Sequence, residues 1–481
     1  MVVLLRALSC ALALAASAAA LCQPAAPVPA RAPARIPPPT LPPPSTNPLG
    51  IDLSTDPILQ LARSQTSPDQ FRALIGAAVV HHPGTLEAEA QTAEARAVVG
   101  EANERRLPSV DLSINSTHSI SRRFGTLTQT LIERSQPANR TDAVLSVSQT
   151  LFDFGAGSNR VSAAGARLRA AAADAEANAD QIALNSVAAW YDVFAYRALV
   201  ELSDSFVKNQ EELRAAVEER IRQGVSAPGD TARVDSYLAS AETRLAGFRR
   251  QRANAEARFT ELMGGPAPAQ LERAPVALLP AMSKDAASLA AMSAPLPRAA
   301  QAVADAARKE AKAIRADRMP QIGATLDANR YGVIENTTDY DIRGRLTLRQ
   351  HLFGGTEARL AQADARARSA DAHAARIRDE AARDASIAWS DVQALDEQLR
   401  ATEASYIASR RSRDVLVERF VNARGSLFDV VAAEDSYFET ATAYIRALSE
   451  LDAARYVLLS RTGGLLAALG IDPASVGGRR D

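Results

Sequence analysis

From Ala156 to about Gln223 the apolar positions fall three and four apart. Val187, Tyr191 and Phe194 are followed by Leu202 and Phe206, then by Leu213, Val217 and Ile221. No proline interrupts this stretch, and its only glycines are Gly157 and Gly165. At 1.5 Å per residue the spacing predicts a helix about 100 Å long. Its narrow apolar stripe is that of a bundle or coiled-coil element, not of a compact core. A second proline-free rod follows from Thr356 to Arg424, where Val392, Leu395, Leu399 and Tyr406 are spaced by three, four and seven.

Shorter elements surround the rods. A helix is expected from Pro68 through Leu74, Ile75, Leu86 and Val98 to Arg106, interrupted at His82-Pro83. After Leu107-Pro108 the period changes to two: Val110, Leu112 and Ile114 alternate with Ser109, Asp111 and Ser113, continuing to Ile120. A polar loop spans Gly125 to Thr141, and alternation resumes at Ala143, Leu145, Val147, Gln149 and Leu151. The first rod ends at Gly224. A helix returns from Asp230 through Tyr237, Leu245, Phe248 and Phe259 to Met263, where Gly264-Gly265-Pro266 stops it. Positions 266–297 read as an irregular connection.

The order then recurs. A helix from Ala299 to Arg318 ends at Met319-Pro320. Strands are expected from Ile322 to Arg330, with Leu326 at their centre, and from Ile342 to Leu352, with Gly332 to Tyr340 as the loop between. The segment from Leu346 to Phe353 stands against that from Leu145 to Phe152. Trp389-Ser-Asp-Val392 answers Trp190-Tyr-Asp-Val193, Glu418-Arg-Phe420 answers Glu219-Arg-Ile221, and Asp435-Ser-Tyr437 answers Asp235-Ser-Tyr237. Gly463-Gly464 repeats Gly264-Gly265. Five matches in one order at a shift of about 200 positions mean a duplicated unit of helix, strand, loop, strand, long helix and short helix. The expected organisation is a leader at 1–20, a proline-rich linker at 21–48, repeats at 49–265 and 298–465 joined through 266–297, and a tail at 466–481.

Composition narrows the environment. The first twenty residues, with Arg6, an apolar run and Ala18-Ala19-Ala20, read as a secretory signal peptide. Cys10 and Cys22, the two cysteines, lie in or beside it, so the exported chain is expected to lack a disulfide. Cys22 could also be a lipidation site, although Leu21 stands where that signal takes a small residue. A net charge of −1 offers nothing to a nucleic acid. Beyond the leader no apolar run is long enough for a transmembrane helix. His81-His82 has no metal-ligand spacing around it, and no catalytic triad or phosphate-binding loop is present, so neither enzyme nor cofactor is expected.

Lengths impose a geometry. In each half, the helix before the strands and the one after the rod are expected to stack end to end along the rod, with strands at one end and a helix turn at the other. The second half does so less tidily, since its leading helix is shorter. Strands of ten to twelve residues suit a tilted bilayer crossing, where only closed barrels survive. Four strands are too few to close. Three chains would supply twelve and two would supply eight; a pore continued by helices favours the wider ring. The alternative is a soluble periplasmic coiled-coil scaffold carrying an ordinary small sheet.

From about Leu49 to Gly470 the chain resembles the TolC-like outer-membrane efflux and secretion channels. The resemblance rests on the strand entries Leu107-Pro108 and Met319-Pro320 and the strand exits at Leu151 to Gly155 and Leu352 to Gly355. It rests also on the turns Gly224-Val-Ser-Ala-Pro-Gly-Asp230 and Arg424-Gly-Ser-Leu-Phe-Asp-Val430. It implies a mainly α fold whose duplicated hairpins form an α-barrel tunnel, with four strands given to a trimeric twelve-stranded β-barrel in the outer membrane. The implied partners are two further copies, outer-membrane lipid, a periplasmic adaptor and an inner-membrane ABC or proton-driven transporter. The chain itself would be a passive exit duct for small-molecule efflux or type I secretion, the turn from Gly224 to Asp230 leaning toward the latter. At the aperture, Asp429 matches the family's pore-lining acid, while the second acidic position is Ala432. Asp230 resembles the acid that ties helix tips together, and a capping role fits its spacing equally well. Its aromatic partner appears as Phe420, whose ring cannot hydrogen-bond, and Arg424 lies near the basic partner position. The membrane strands would place Val110, Leu112, Ile114, Leu145, Val147, Ile322, Leu326, Leu346 and Leu348 toward lipid.

Overall fold

A computed structural model describes residues 39–45, 47–48, 50–123, 137–335, 338–351, 354–422 and 424–472. The leader, Cys22, most of the proline-rich stretch, Leu352-Phe353 and the last nine residues lie outside them. Helices α1 (Pro57–Gln60), α2 (Pro68–His81) and α3 (Pro83–Glu104) precede strands β1 (Ser109–His118) and β2 (Asn139–Phe152). The first rod, α4 (Ala156–Arg222), turns into α5 (Gly229–Met263). After α6 (Lys284–Ala291) and α7 (Pro295–Ala316) come β3 (Gln321–Arg330), β4 (Tyr340–Arg349), the second rod α8 (Thr356–Val421), α9 (Leu427–Arg461) and α10 (Leu465–Ala468). The interruption at His82-Pro83 is a clean break, with proline at the first position of α3 and the His82 ring accepting from the Gly84 N–H at 3.0 Å. The connection 266–297 is less irregular than expected, because Ser283 caps α6 by accepting from the Ala286 N–H.

Alanine explains how rods this long pack. Along α4, Ala163, Ala166, Ala170, Ala179 and Ala183 are buried, and α3, α5, α7 and α9 all lie against it. With only a methyl group at the contacts, backbones approach closely and no deep core is required. Ala300 and Ala304 of α7 meet Ala374 of α8 in the same manner. Larger side chains gather mid-length, where Phe71, Trp190, Phe259, Tyr456 and Leu465 form one core and Phe71 meets Trp190 edge to face at 5.2 Å.

The duplication extends to single bonds. Both rods start after a glycine in the left-handed region, Gly155 at φ 84° and Gly355 at φ 83°, a conformation that costs glycine nothing. The Trp190 indole donates to the Glu272 carbonyl at 3.0 Å, and Trp389 to that of Met282 at 3.0 Å. Each tryptophan thus pins the connecting segment to its own rod. Arg273 on that segment makes a buried two-pronged bond to Asp452, with Nε–Oδ2 at 2.5 Å and Nη2–Oδ1 at 2.8 Å.

Asp180 of α4 accepts from the Ser460 hydroxyl of α9 at 2.5 Å. Burial lifts its carboxyl to about 6, against the lowering effect of that bond and of Arg461. The native state therefore binds a proton the unfolded chain releases. Its contribution to stability is fully present below about pH 4 and is lost, by up to about 3 kcal/mol, as pH rises through 6. Asp180→Asn is expected to remove that slope and to raise the melting temperature at pH 7 relative to the parent; melting curves at pH 4.5 and 7 check it.

Candidate functional site: the open-edged sheet and the rod tips

The strands form one antiparallel sheet in the order β1-β2-β3-β4. Directly opposed residues share a face, so the register sorts every side chain. Val110 pairs Val147, Leu112 pairs Leu145 and Ile114 pairs Ala143. Leu145 continues to Ala328 and then Ile342, and Val147 to Leu326 and then Gly344. Ala324 pairs Leu346, and Ile322 pairs Leu348. All nine strand residues singled out from the sequence lie on this one apolar face. Val147 and Ile322 are half-buried and the other seven are exposed. The opposite face carries Ser109, Asp111, Ser113, Ser146, Thr325, Asp327, Arg343, Arg345 and Arg349, with Ser146 donating to Asp327 at 2.5 Å. A bulge between Thr150 and Phe152 turns Phe152 onto the apolar side opposite Ile322. There its ring lies 4.6 Å from that of Phe154, both at the helical end of the sheet. Tyr340 stands exposed at the other end. Among the described residues, β1 and β4 pair on one side only.

At the far end of the rods, Val217, Val234, Phe420, Leu427, Val430 and Val431 form a small core that joins both helix turns. Gly224, at φ 72°, ends α4, and the Val225 N–H reaches back to the Arg220 carbonyl at 2.9 Å; Arg424 N–H to the Arg419 carbonyl repeats this at 2.9 Å. Asp230 sits in the first turn of α5 and accepts from the Ala227 N–H at 3.2 Å, while its own N–H donates to the Ala227 carbonyl. That is a reciprocal cap, and it occupies the carboxylate locally. The link between the two turns runs instead through Arg220. Its guanidinium donates to the Phe420 carbonyl at 2.7 Å and lies 4.3 Å from the Phe420 ring centre. Phe420 is therefore bonded through its backbone, although its ring has no hydrogen-bonding group. Arg424 is exposed and makes no ion pair among the described residues. Asp429 is exposed in the first turn of α9, its N–H held by the Ser426 cap at 3.2 Å. Ala432, one turn on, is exposed as well.

Above the tips lies a buried charged cluster that hydrophobic patterning does not reveal. Arg413 of α8 is fully buried, with Nε 2.7 Å from Asp414, Nη1 3.3 Å from Glu434 and Nη2 donating to the Pro42 carbonyl at 2.8 Å. Arg410 binds Asp56, which also accepts from the Tyr406 hydroxyl at 2.8 Å. Burial raises the Glu434 and Asp414 carboxyls, with Arg413 opposing the shift in both. Leu41 is buried, and its N–H donates to Ser205 of α4 at 2.9 Å. The end of the proline-rich stretch, expected as a linker, is thus a strap fastened to both rods.

Residues 74–265 and 286–464 match the model of the outer membrane efflux protein family. The chain belongs to this family. Outer membrane efflux protein BepC of Brucella suis biovar 1 is 26% identical over 330 residues, which is 67% of this chain and 72% of that protein. Among solved structures, the outer-membrane protein VceC of Vibrio cholerae superposes with a TM-score of 0.73 at 19% identity, over 82% of this chain and 96% of that one. The outer-membrane channel MtrE of Neisseria gonorrhoeae, in its open state, gives 0.67 at 20% identity, over 82% and 89%. This chain is accordingly an outer membrane efflux protein, and its fold is that of outer-membrane channels. The soluble scaffold reading falls.

Proposed function

We propose that three copies of this channel close a twelve-stranded barrel and that their rods continue it as a tunnel. In this reading the tips are met by a periplasmic adaptor and an inner-membrane transporter, ABC-type or proton-driven, that supplies the energy. The observation that carries it is a sheet with one continuous apolar face and two open edges. In hydrocarbon an unpaired edge costs several kcal/mol for each group left unbonded, so the edges must meet those of other copies. β1 and β4 run in opposite directions, so β4 of one copy continues the antiparallel order onto β1 of the next, and the ring closes by rotation. Ten residues tilted by about 40° span roughly 25 Å, the height of a barrel's apolar band. Phe152, Phe154 and Tyr340 fall where aromatic girdles belong. Eight strands would leave an interior filled by side chains, and this polar face carries three arginines on β4 alone. Twelve strands leave a lumen. Efflux, the term shared by the family and by BepC, is the activity favoured over type I secretion.

Asp429 is assigned to the pore entrance on its exposure at the tip. Purified channel in planar bilayers is expected to give stepwise ion currents with cation preference. Asp429→Ala should lower that preference severalfold without abolishing conductance. Absence of conductance would refute the duct, and unchanged selectivity would refute the role of Asp429.

A further inference from the structure

The polar face of the sheet carries charges that its own register leaves over. Asp341 pairs with Arg343 and Asp142 with Arg140. Asp111 on edge strand β1, and Arg345 and Arg349 on edge strand β4, are exposed and form no ion pair among the described residues. An acid on one open edge and two bases on the other form a complementary set. We propose that Asp111 of each copy pairs with Arg345 or Arg349 of its neighbour, and that this contact fastens the seam between copies in the register that facing and tilt allow. This rests on the ring reading above and names the surface by which one copy recognises the next.

Two independent constraints narrow the register to two possibilities. The first is facing. Up to Ile114, β1 presents apolar side chains at even positions and polar ones at odd positions, and β4 from Ile342 follows the same alternation, so only shifts of two residues keep both faces intact. The second is tilt. Straight across the sheet from Ser109 the pairings lead to Ser148, Thr325 and Arg345. Laying the ten residues of β4 flush along the ten of the next β1 sets Arg349 opposite Ser109, a stagger of four residues per chain. That is roughly 13 Å along the strands for about 19 Å across them, a tilt of about 35°. The next allowed register sets Arg349 opposite Asp111 and tilts the strands by about 46°. Neighbouring registers give about 19° and 54°, whereas barrels close near 35–45°.

Both surviving registers keep Asp111 beside an arginine, as the 19° register also would, so tilt and not the ion pair separates them. In the flush one, Asp111 faces Thr347 and has Arg345 and Arg349 as its diagonal neighbours on the same face, within reach of a long side chain. In the shifted one it directly faces Arg349. On the lipid side the flush register opposes Leu348 to Val110 and Leu346 to Leu112, keeping the apolar band unbroken across the seam.

Cysteine pairs read the register directly, because directly opposed Cα atoms lie within disulfide range. In a Cys22→Ser background, with the full chain in outer membranes, S109C/R349C reports the flush register and D111C/R349C the shifted one. Positions at opposite edges of one sheet can bond only between copies, so one of these pairs is expected to yield a covalent trimer under mild oxidation. S113C/R349C, which needs the steep tilt, is expected to stay uncrosslinked. Cross-linking of S113C/R349C alone, or of none of the three in a channel that native mass shows to be trimeric, would overturn the register. D111R is expected to lower the trimer association constant roughly tenfold or more, since three equivalent contacts are lost at once, and R345D/R349D should restore it. If D111N and D111R both leave trimer stability unchanged, the ion pair is wrong even where the register holds. A channel that is never trimeric refutes the ring itself, which the mass measurement distinguishes.

Discussion

Replacing Leu112 with lysine is expected to remove most of the channel from the outer membrane. Leu112 lies mid-strand in β1, is 69% exposed in the single chain, and is paired with Leu145 on the apolar face. A lysine on the lipid face of a barrel costs about 2–4 kcal/mol at the midplane. Three copies in one ring multiply that to roughly 6–12 kcal/mol, comparable with the whole stability of many domains. The neighbouring Ser113→Lys places the same charge on the polar face of the same strand and should be tolerated. Comparing the amounts of the two variants in outer-membrane fractions checks the assignment of faces. Equal recovery would show that Leu112 does not meet lipid.

Arg413→Ala should be the most destabilising single change in the helical part. The guanidinium is fully buried against Asp414 and Glu434, holds the strap through the Pro42 carbonyl, and lies 4.5 Å from the Tyr437 ring centre. Removing one partner of such a cluster leaves buried carboxylates uncompensated, at about 3–5 kcal/mol. Burial already raises Glu434 and Asp414, and loss of the arginine raises them further. Protonation then relieves the penalty, so the deficit is expected to shrink as pH falls from 7 toward 5. Denaturant melts at the two pH values test this, and adding Glu434→Gln should recover part of the loss. A deficit that is constant with pH would mean that packing, not charge, dominates.

The rods, strands and duplication were legible because each is a periodic pattern read over many residues. Strand ends were less so. β2 begins at Asn139 and not at Ala143, because Arg140 and Asp142 pair with each other and extend the ladder through polar positions. β1 stops at His118, two residues short of Ile120. At the tips, Asp230 caps its own helix and Arg424 is exposed, whereas the bond between the turns is made by Arg220. The signal was present in the repeat, where Glu219-Arg220 answers Glu418-Arg419, but nothing in one sequence says which arginine reaches across. The strap was invisible for a similar reason. Proline-rich composition describes a chain's stiffness, and the docking of Leu41 and Pro42 depends on Ser205 and Arg413, which lie far away in sequence.

The central claim is that a sheet with two free edges and an oily face must be completed by sister chains. Channel extracted from outer membranes in mild detergent and weighed intact by native mass spectrometry tests it most directly. Three chain masses are the expected result; a particle of one chain mass, stable without detergent, would contradict it.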